Sequence, residues 1–204
     1  MLCSAFLPPV SWFIRFMAGD DIKESDIFRK QTVRNHCLID SPAGALKLTI
    51  PVAKGSEGMR LTRDVKISEH GDWRRKHWHA LETAYFNSPF FEYMRDDFKE
   101  VFNMKTDSLW EFNEAMLKCC LGWMDGWEMM RTKNRETGYR VSEEMALEMV
   151  KQMPYYQVFG LKHGFLPDLS IVDLLFNMGP EALEVMMKTM TRTTTTTNNN
   201  NKKY

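Results

Sequence analysis

The sequence has no surplus of either charge: Lys+Arg and Asp+Glu stand at 27 each in 204 residues, a formal net charge of zero. A broad nucleic-acid footprint needs a basic excess on one face, so that partner is set aside. A small phosphate pocket is not, because two or three arginines suffice for one. No stretch approaches the ~20 apolar residues of a membrane span. The apolar start Met1–Phe6 stops at Pro8-Pro9 with no basic leader, so no secretory signal and a cytoplasmic location are expected. Cysteine is scarce. Cys3, Cys37, Cys119 and Cys120 lie in no metal-ligand spacing and read as buried free thiols of a reducing compartment.

Catalytic signatures are missing too. There is no G-x-S-x-G, Walker loop, G-x-G-x-x-G or H-E-x-x-H. The adjacent His36 and Cys37 would point to opposite faces of a strand, which argues against a dyad. The sixteen methionines are adaptable core filler and imply no cofactor, which is left unknown.

What is present is enough apolar residue, 44%, to bury a core. One domain over 1–190 is expected, strand-rich over 1–67 and helical over 72–190. Its fold class is α/β, a small N-terminal sheet with a β-α-β start followed by a mainly helical C-terminal half. The tail 191–204 is almost all Thr and Asn, has nothing to bury and reads as disordered. Leu2–Phe6 is a first strand, Val10–Met17 a helix with Trp12, Phe13 and Phe16 at helical intervals, and Asp20–Glu24 a weak second strand. Asn35–Ile39 and Ala45–Val52 form a hairpin around Ser41-Pro42-Ala43-Gly44, and Leu61–Ile67 alternates like a further strand. From Asp72 the period becomes helical. Breaks fall at Asn87-Ser88-Pro89 and in a polar loop Lys133–Gly138, with caps at Asp107 or Ser108, at Ser142 and at Ser170.

Three segments are denser in polar and aromatic residues than packing requires. Phe28–His36 holds Lys30, Gln31, Arg34 and Asn35, which can bind a phosphate or carboxylate, arginine by its fork and lysine as a point charge. The structural alternative is a solvated basic sheet edge. Trp73–His79 places Trp73 and His77 on one face of a helix and Lys76 with His79, a surface for a sugar or base; the alternative is one buried tryptophan, one satisfied histidine and a charged outer face. The third, Pro154–Ser170, carries Tyr155 and Gln157 and then Lys162 and His163, the latter pair between Gly160 and Gly164, ahead of a capped apolar helix. Asp173 in that helix can complete a capping box or bind substrate. His77 and His163 are the candidate general bases, since imidazole titrates near neutrality. The candidate substrate-binding residues are Lys30, Gln31, Arg34, Asn35, Lys76, Tyr155, Gln157 and Asp173, and no metal site is expected.

Taken together the segments resemble the WbqC-like family. The residues that carry this are Phe6-Leu7-Pro8-Pro9, Lys30-Gln31-Thr32, Arg34-Asn35, Ile50-Pro51-Val52, Lys76-His77-Trp78 and Ser88-Pro89-Phe90-Phe91. The closing block is Tyr155–Phe159, His163-Gly164-Phe165 and Leu169–Pro180, so that the likeness spans about residues 2 to 185. Val33 and His36 depart from it where an aromatic and an arginine are expected. The resemblance implies a bacterial role in O-antigen or capsule biosynthesis, with transfer of glycine or another acyl group to a nucleotide-linked amino sugar. Its partners would be a nucleotide sugar or acyl donor. The alternative from a different class is a non-catalytic binding or assembly protein, which fits the missing nucleophile and the many aromatics.

Overall fold

Residues 1–55, 60–151 and 153–190 are described by a computed structural model of the chain. The Thr/Asn tail expected to be disordered lies outside them.

The organising element is α1, Val10–Met17, at the expected bounds. Seven of its eight residues are buried, Arg15 excepted, so it is a core helix rather than an amphipathic one. Its two ends are closed from distant parts of the chain. At the N-terminus Asp168 accepts from the Ser11 backbone N–H at 2.8 Å and from its Oγ–H at 2.9 Å, satisfying donors that a helix start leaves open. At the C-terminus Arg131 donates to Phe16 O at 3.0 Å and Asn134 to Met17 O at 2.9 Å.

The β-α-β start is present in its smallest form, a single parallel bridge between Leu2 and Ile22 on either side of α1. Ile22 is the one apolar residue of 20–24, so nothing extends the pairing. The hairpin forms as expected: β1, His36–Ile39, runs antiparallel to β2, Leu46–Thr49, with His36 opposite Thr49 and Ile39 opposite Leu46. Ser41 Oγ donates to Gly44 O at 2.6 Å and fixes the turn.

The strand expected at Leu61–Ile67 is instead a 3₁₀ turn, Thr62–Asp64, flanked by single bridges of Leu61 to Ile27 and Ile67 to Val52. Thr62 is drawn inward, donating its backbone N–H to Asp26 O and its hydroxyl to the Asp26 carboxylate. That contact breaks the alternation.

Three helices follow: α2, Trp73–Tyr85; α3, Phe91–Phe102; and α4, Leu109–Gly122, capped by Ser108. Next, α5, Trp127–Glu136, runs through most of the segment that reads as a loop over Lys133–Gly138. It buries no residue fully. Its polar side chains, Arg131 and Asn134, are what bind the end of α1, and a periodicity test based on apolar residues cannot see such a helix. Then come α6, Glu143–Lys151, and α7, the single turn Gly160–His163. The last core helix is α8, Ile171–Met178, which Gly179 closes at φ 56°, and residues 182–190 are again helical.

α8 is the second core helix, with Ile171 to Phe176 all within 0% exposure. Phe176 takes edge-on contacts from Tyr85, Phe91 and Phe98 at centroid distances of 5.2, 5.1 and 5.2 Å. Its start is tied to the N-terminal strand and the hairpin: Ser170 Oγ donates to Leu7 O, Ile171 N to Pro8 O and Ser170 N to Leu38 O. All four cysteines are free. Among the described residues no helix is long and apolar enough to cross a membrane.

Candidate functional site

In the middle of this apolar helix stands Asp173, with no exposed surface. Tyr85 Oη–H donates to its Oδ1 at 2.8 Å, while Tyr155 Oη–H and Gln157 Nε2–H donate to its Oδ2 at 2.7 and 2.9 Å. Burial raises its pKa to about 6, with the three donors pulling the other way. The capping box expected for Asp173 does not form. Ser170 Oγ caps through Val172 N, and the Asp173 side chain turns to the tyrosines instead.

Tyr85 carries the network onward. Its oxygen accepts the backbone N–H of Asp40 at 3.0 Å, so one phenol joins the hairpin end to α8. The Asp40 carboxylate is itself buried. Its Oδ1 lies 3.0 Å from His163 Nε2 and accepts Ser41 N–H at 2.8 Å, while its Oδ2 has no partner among the described residues. Burial pushes the Asp40 carboxyl up, and His163 opposes that.

His163 reaches solvent, with 19% of its side chain exposed, and Tyr155 is partly exposed as well. Besides Asp40, its Nε2 lies 3.3 Å from Ser41 O and its Nδ1 lies 3.1 Å from Gly164 O. Desolvation works against the imidazolium, but the Gly164 carbonyl, the Asp40 carboxylate and the Ser41 carbonyl prevail and raise its pKa. The segment bearing it is held by polar contacts, since α7 buries no residue. Gln157 clamps Leu166 twice, accepting its N–H and donating to its C=O, both at 2.9 Å. Phe165 packs edge-on to Tyr155 at 5.2 Å.

The sequence-predicted residues thus fall into three groups. Tyr155, Gln157, Asp173 and His163 come together. Lys30, Gln31, Arg34 and Asn35 gather near the hairpin base. There Arg34 forks onto Asp26 with two contacts of 2.6 Å, Asn35 is buried and donates to Ile50 O, and Lys30 and Gln31 are exposed. Lys76 and His77 sit apart on α2, where Lys76 is exposed. His77 is buried, stacked on Phe6 at 5.8 Å, and burial lowers its pKa to about 4. A neutral imidazole is therefore what that position holds near pH 7.

Asp40 and Tyr85 escaped the sequence reading. Asp40 precedes a Ser-Pro turn, where aspartate is ordinary turn chemistry. Tyr85 lies on the apolar face of α2 and carries no polar signal of its own.

A family model described as the WbqC-like protein family matches residues 4–153. The matched range ends before Tyr155, so it includes Asp40 and Tyr85 but not Asp173 or His163. No curated protein and no solved structure matches the chain.

Proposed function

The chain belongs to the WbqC-like protein family, and we propose that it acts in the cytoplasm in bacterial surface-polysaccharide biosynthesis, O-antigen or capsule, transferring glycine or another acyl group to a nucleotide-linked amino sugar. The observation that carries the transfer is the His163–Asp40 pair at 3.0 Å, with the carboxylate buried and the imidazole at the surface.

Acylating an amine needs a proton removed near neutral pH. Asp40 fixes the neutral tautomer with its proton on Nε2, which leaves Nδ1 as the basic nitrogen. The amine attacks the activated acyl carbonyl, the new C–N bond forms and the bond to the donor's leaving group breaks. The proton released by the amine passes to Nδ1 and on to that leaving group. While His163 is an imidazolium, its Nδ1–H has Gly164 O beside it and its Nε2–H has Asp40. Those contacts stabilise the charge that base catalysis creates. Asp173, Tyr85, Tyr155 and Gln157 are positioning residues in this reading. They hold Asp40 and the His163 segment in register.

A second reading, a non-catalytic binding or assembly protein of the same machinery, draws on the same residue. With both ring nitrogens facing oxygen acceptors, His163 also suits a fixed latch. The two separate in one assay, in which purified protein is given uridine-diphosphate-linked amino sugar and a glycyl thioester and the sugar nucleotide is followed by mass spectrometry. The transfer reading expects a glycyl adduct, reduced by about 10²-fold or more in His163→Gln. An adduct formed at the wild-type rate by that variant removes His163 from the chemistry. No adduct from the wild-type chain favours the latch.

A further inference from the structure

Between the N-terminal strand, α1 and the segment 23–34 lies a cavity of about 450 Å³, within the range that holds a small-molecule ligand. Four cationic side chains line it, Arg15, Lys23, Arg29 and Arg34, against two carboxylates, Asp26 and Glu143. In a chain with no net charge, that is a local surplus.

The four cations are not equivalent. Arg15 is committed to Asp20, at 3.0 Å through Nε and 2.7 Å through Nη2. Arg34 forks onto Asp26, which also accepts from Thr62 Oγ1 at 2.9 Å, and its Nη1 donates to Thr32 Oγ1. Three of its five N–H groups are used there, leaving two on a guanidinium that can no longer swing. Lys23 and Arg29 are exposed and have no side-chain ion pair or hydrogen bond among the described residues. Trp12 forms the apolar wall; its ring is stacked on Phe16 and its Nε1–H donates to Cys3 O. Two free cations, one fixed fork and one aromatic wall in a single concavity describe a receptor for an anion that carries more than one charge.

We infer that this cavity binds the diphosphate of a nucleotide, with Lys23 and Arg29 supplying mobile charge and Arg34 a fixed pair of donors. The inference deepens the transfer reading, and rests on it for the nucleotide-linked acceptor. Bidentate guanidinium contacts suit phosphate oxygens, and lysine adds a point charge. Asp26 is the positioning residue, since it holds the Arg34 plane. Glu143, on α6 with 74% of its side chain exposed and 3.7 Å from Arg15, is free to turn outward as the anion enters.

Titration calorimetry of the wild-type chain with inorganic pyrophosphate and with uridine diphosphate tests this without any acyl transfer. The expected result is one site per chain for both probes, weakened at least tenfold in the Lys23→Gln/Arg29→Gln double variant and unchanged in Arg75→Gln, a surface control on α2. Tighter binding of uridine diphosphate than of pyrophosphate identifies a nucleotide as the source of the anion; equal binding overturns the nucleotide and leaves a phosphate site only. The inference is overturned outright if neither probe binds, or if the double variant binds as the wild type does. Because His163 is untouched, either result leaves the transfer assay to be judged separately.

Discussion

His163 Nε2 lies 3.0 Å from Asp40 Oδ1, joining a partly exposed imidazole to a buried carboxylate. The pair ties α7 to the end of the β hairpin. It also sets the pH behaviour of that contact. The folded-state pKa of His163 lies above the ordinary histidine value, so the stability this contact contributes is fully present below about pH 6.5. It is lost as pH rises through the raised value. Chemical denaturation of wild type and His163→Gln should therefore diverge most just below pH 6.5, while Asp40 is still ionised, and converge as pH rises through the raised His163 value. A difference that grows with pH over that rise contradicts the assignment.

Asp173 runs the other way. Its folded pKa of about 6 stands above the ~3.9 of an unfolded carboxyl. Its contribution to stability is thus greatest below about pH 4, falls as pH rises to 6 and is flat beyond. Keeping it ionised at neutral pH costs on the order of 3 kcal/mol net, the part of the burial cost that the three donors do not cancel. Asp173→Asn removes the ionisation and also one acceptor oxygen. Relative to wild type, the variant should be less disadvantaged at pH 7.5 than at pH 5 by about 1 kcal/mol, measured by urea unfolding at the two pH values.

Tyr85→Phe removes one hydroxyl and leaves the buried Asp40 N–H unmet and Asp173 Oδ1 with only a long contact of 3.5 Å from Asn177 Nδ2. A loss of about 2–4 kcal/mol is expected. The same variant should lower the transfer rate, because Asp40 is then held less firmly. A change below about 0.5 kcal/mol shows that water takes over both partners.

Gly179→Ala should be among the most damaging single methyl additions. Gly179 has φ 56°, and a Cβ built there runs into the Phe90 ring, which packs at the end of α8. Left-handed strain and the clash together should cost about 2 kcal/mol or more, read as a drop in thermal midpoint. Gly126→Ala, at φ 85° with open space around it, isolates the backbone part of that cost.

Much of the fold was legible from pattern. Trp12, Phe13 and Phe16 fixed α1, the Ser41–Gly44 turn fixed the hairpin, and Ser108, Ser142 and Ser170 marked helix starts. What was illegible had polar causes. α5 is a helix held by Arg131 and Asn134 reaching the carbonyls of α1, and no apolar stripe announces it. Thr62 turns inward to Asp26 and ends a strand that alternation alone would continue. The site was half visible. Tyr155, Gln157, Asp173 and His163 share one segment, and their polar density stood out. Asp40 and Tyr85 gain their roles only when the hairpin and α2 meet that segment in space.

The most direct measurement replaces the chain in a bacterium that carries it. Surface polysaccharide from a strain lacking the gene is compared with that from the strain restored with wild type or with His163→Gln, at matched levels of folded protein. Wild type should restore the acyl substituent on the amino sugar, and His163→Gln should not. Full restoration by His163→Gln, or polysaccharide unaltered by loss of the chain, contradicts it.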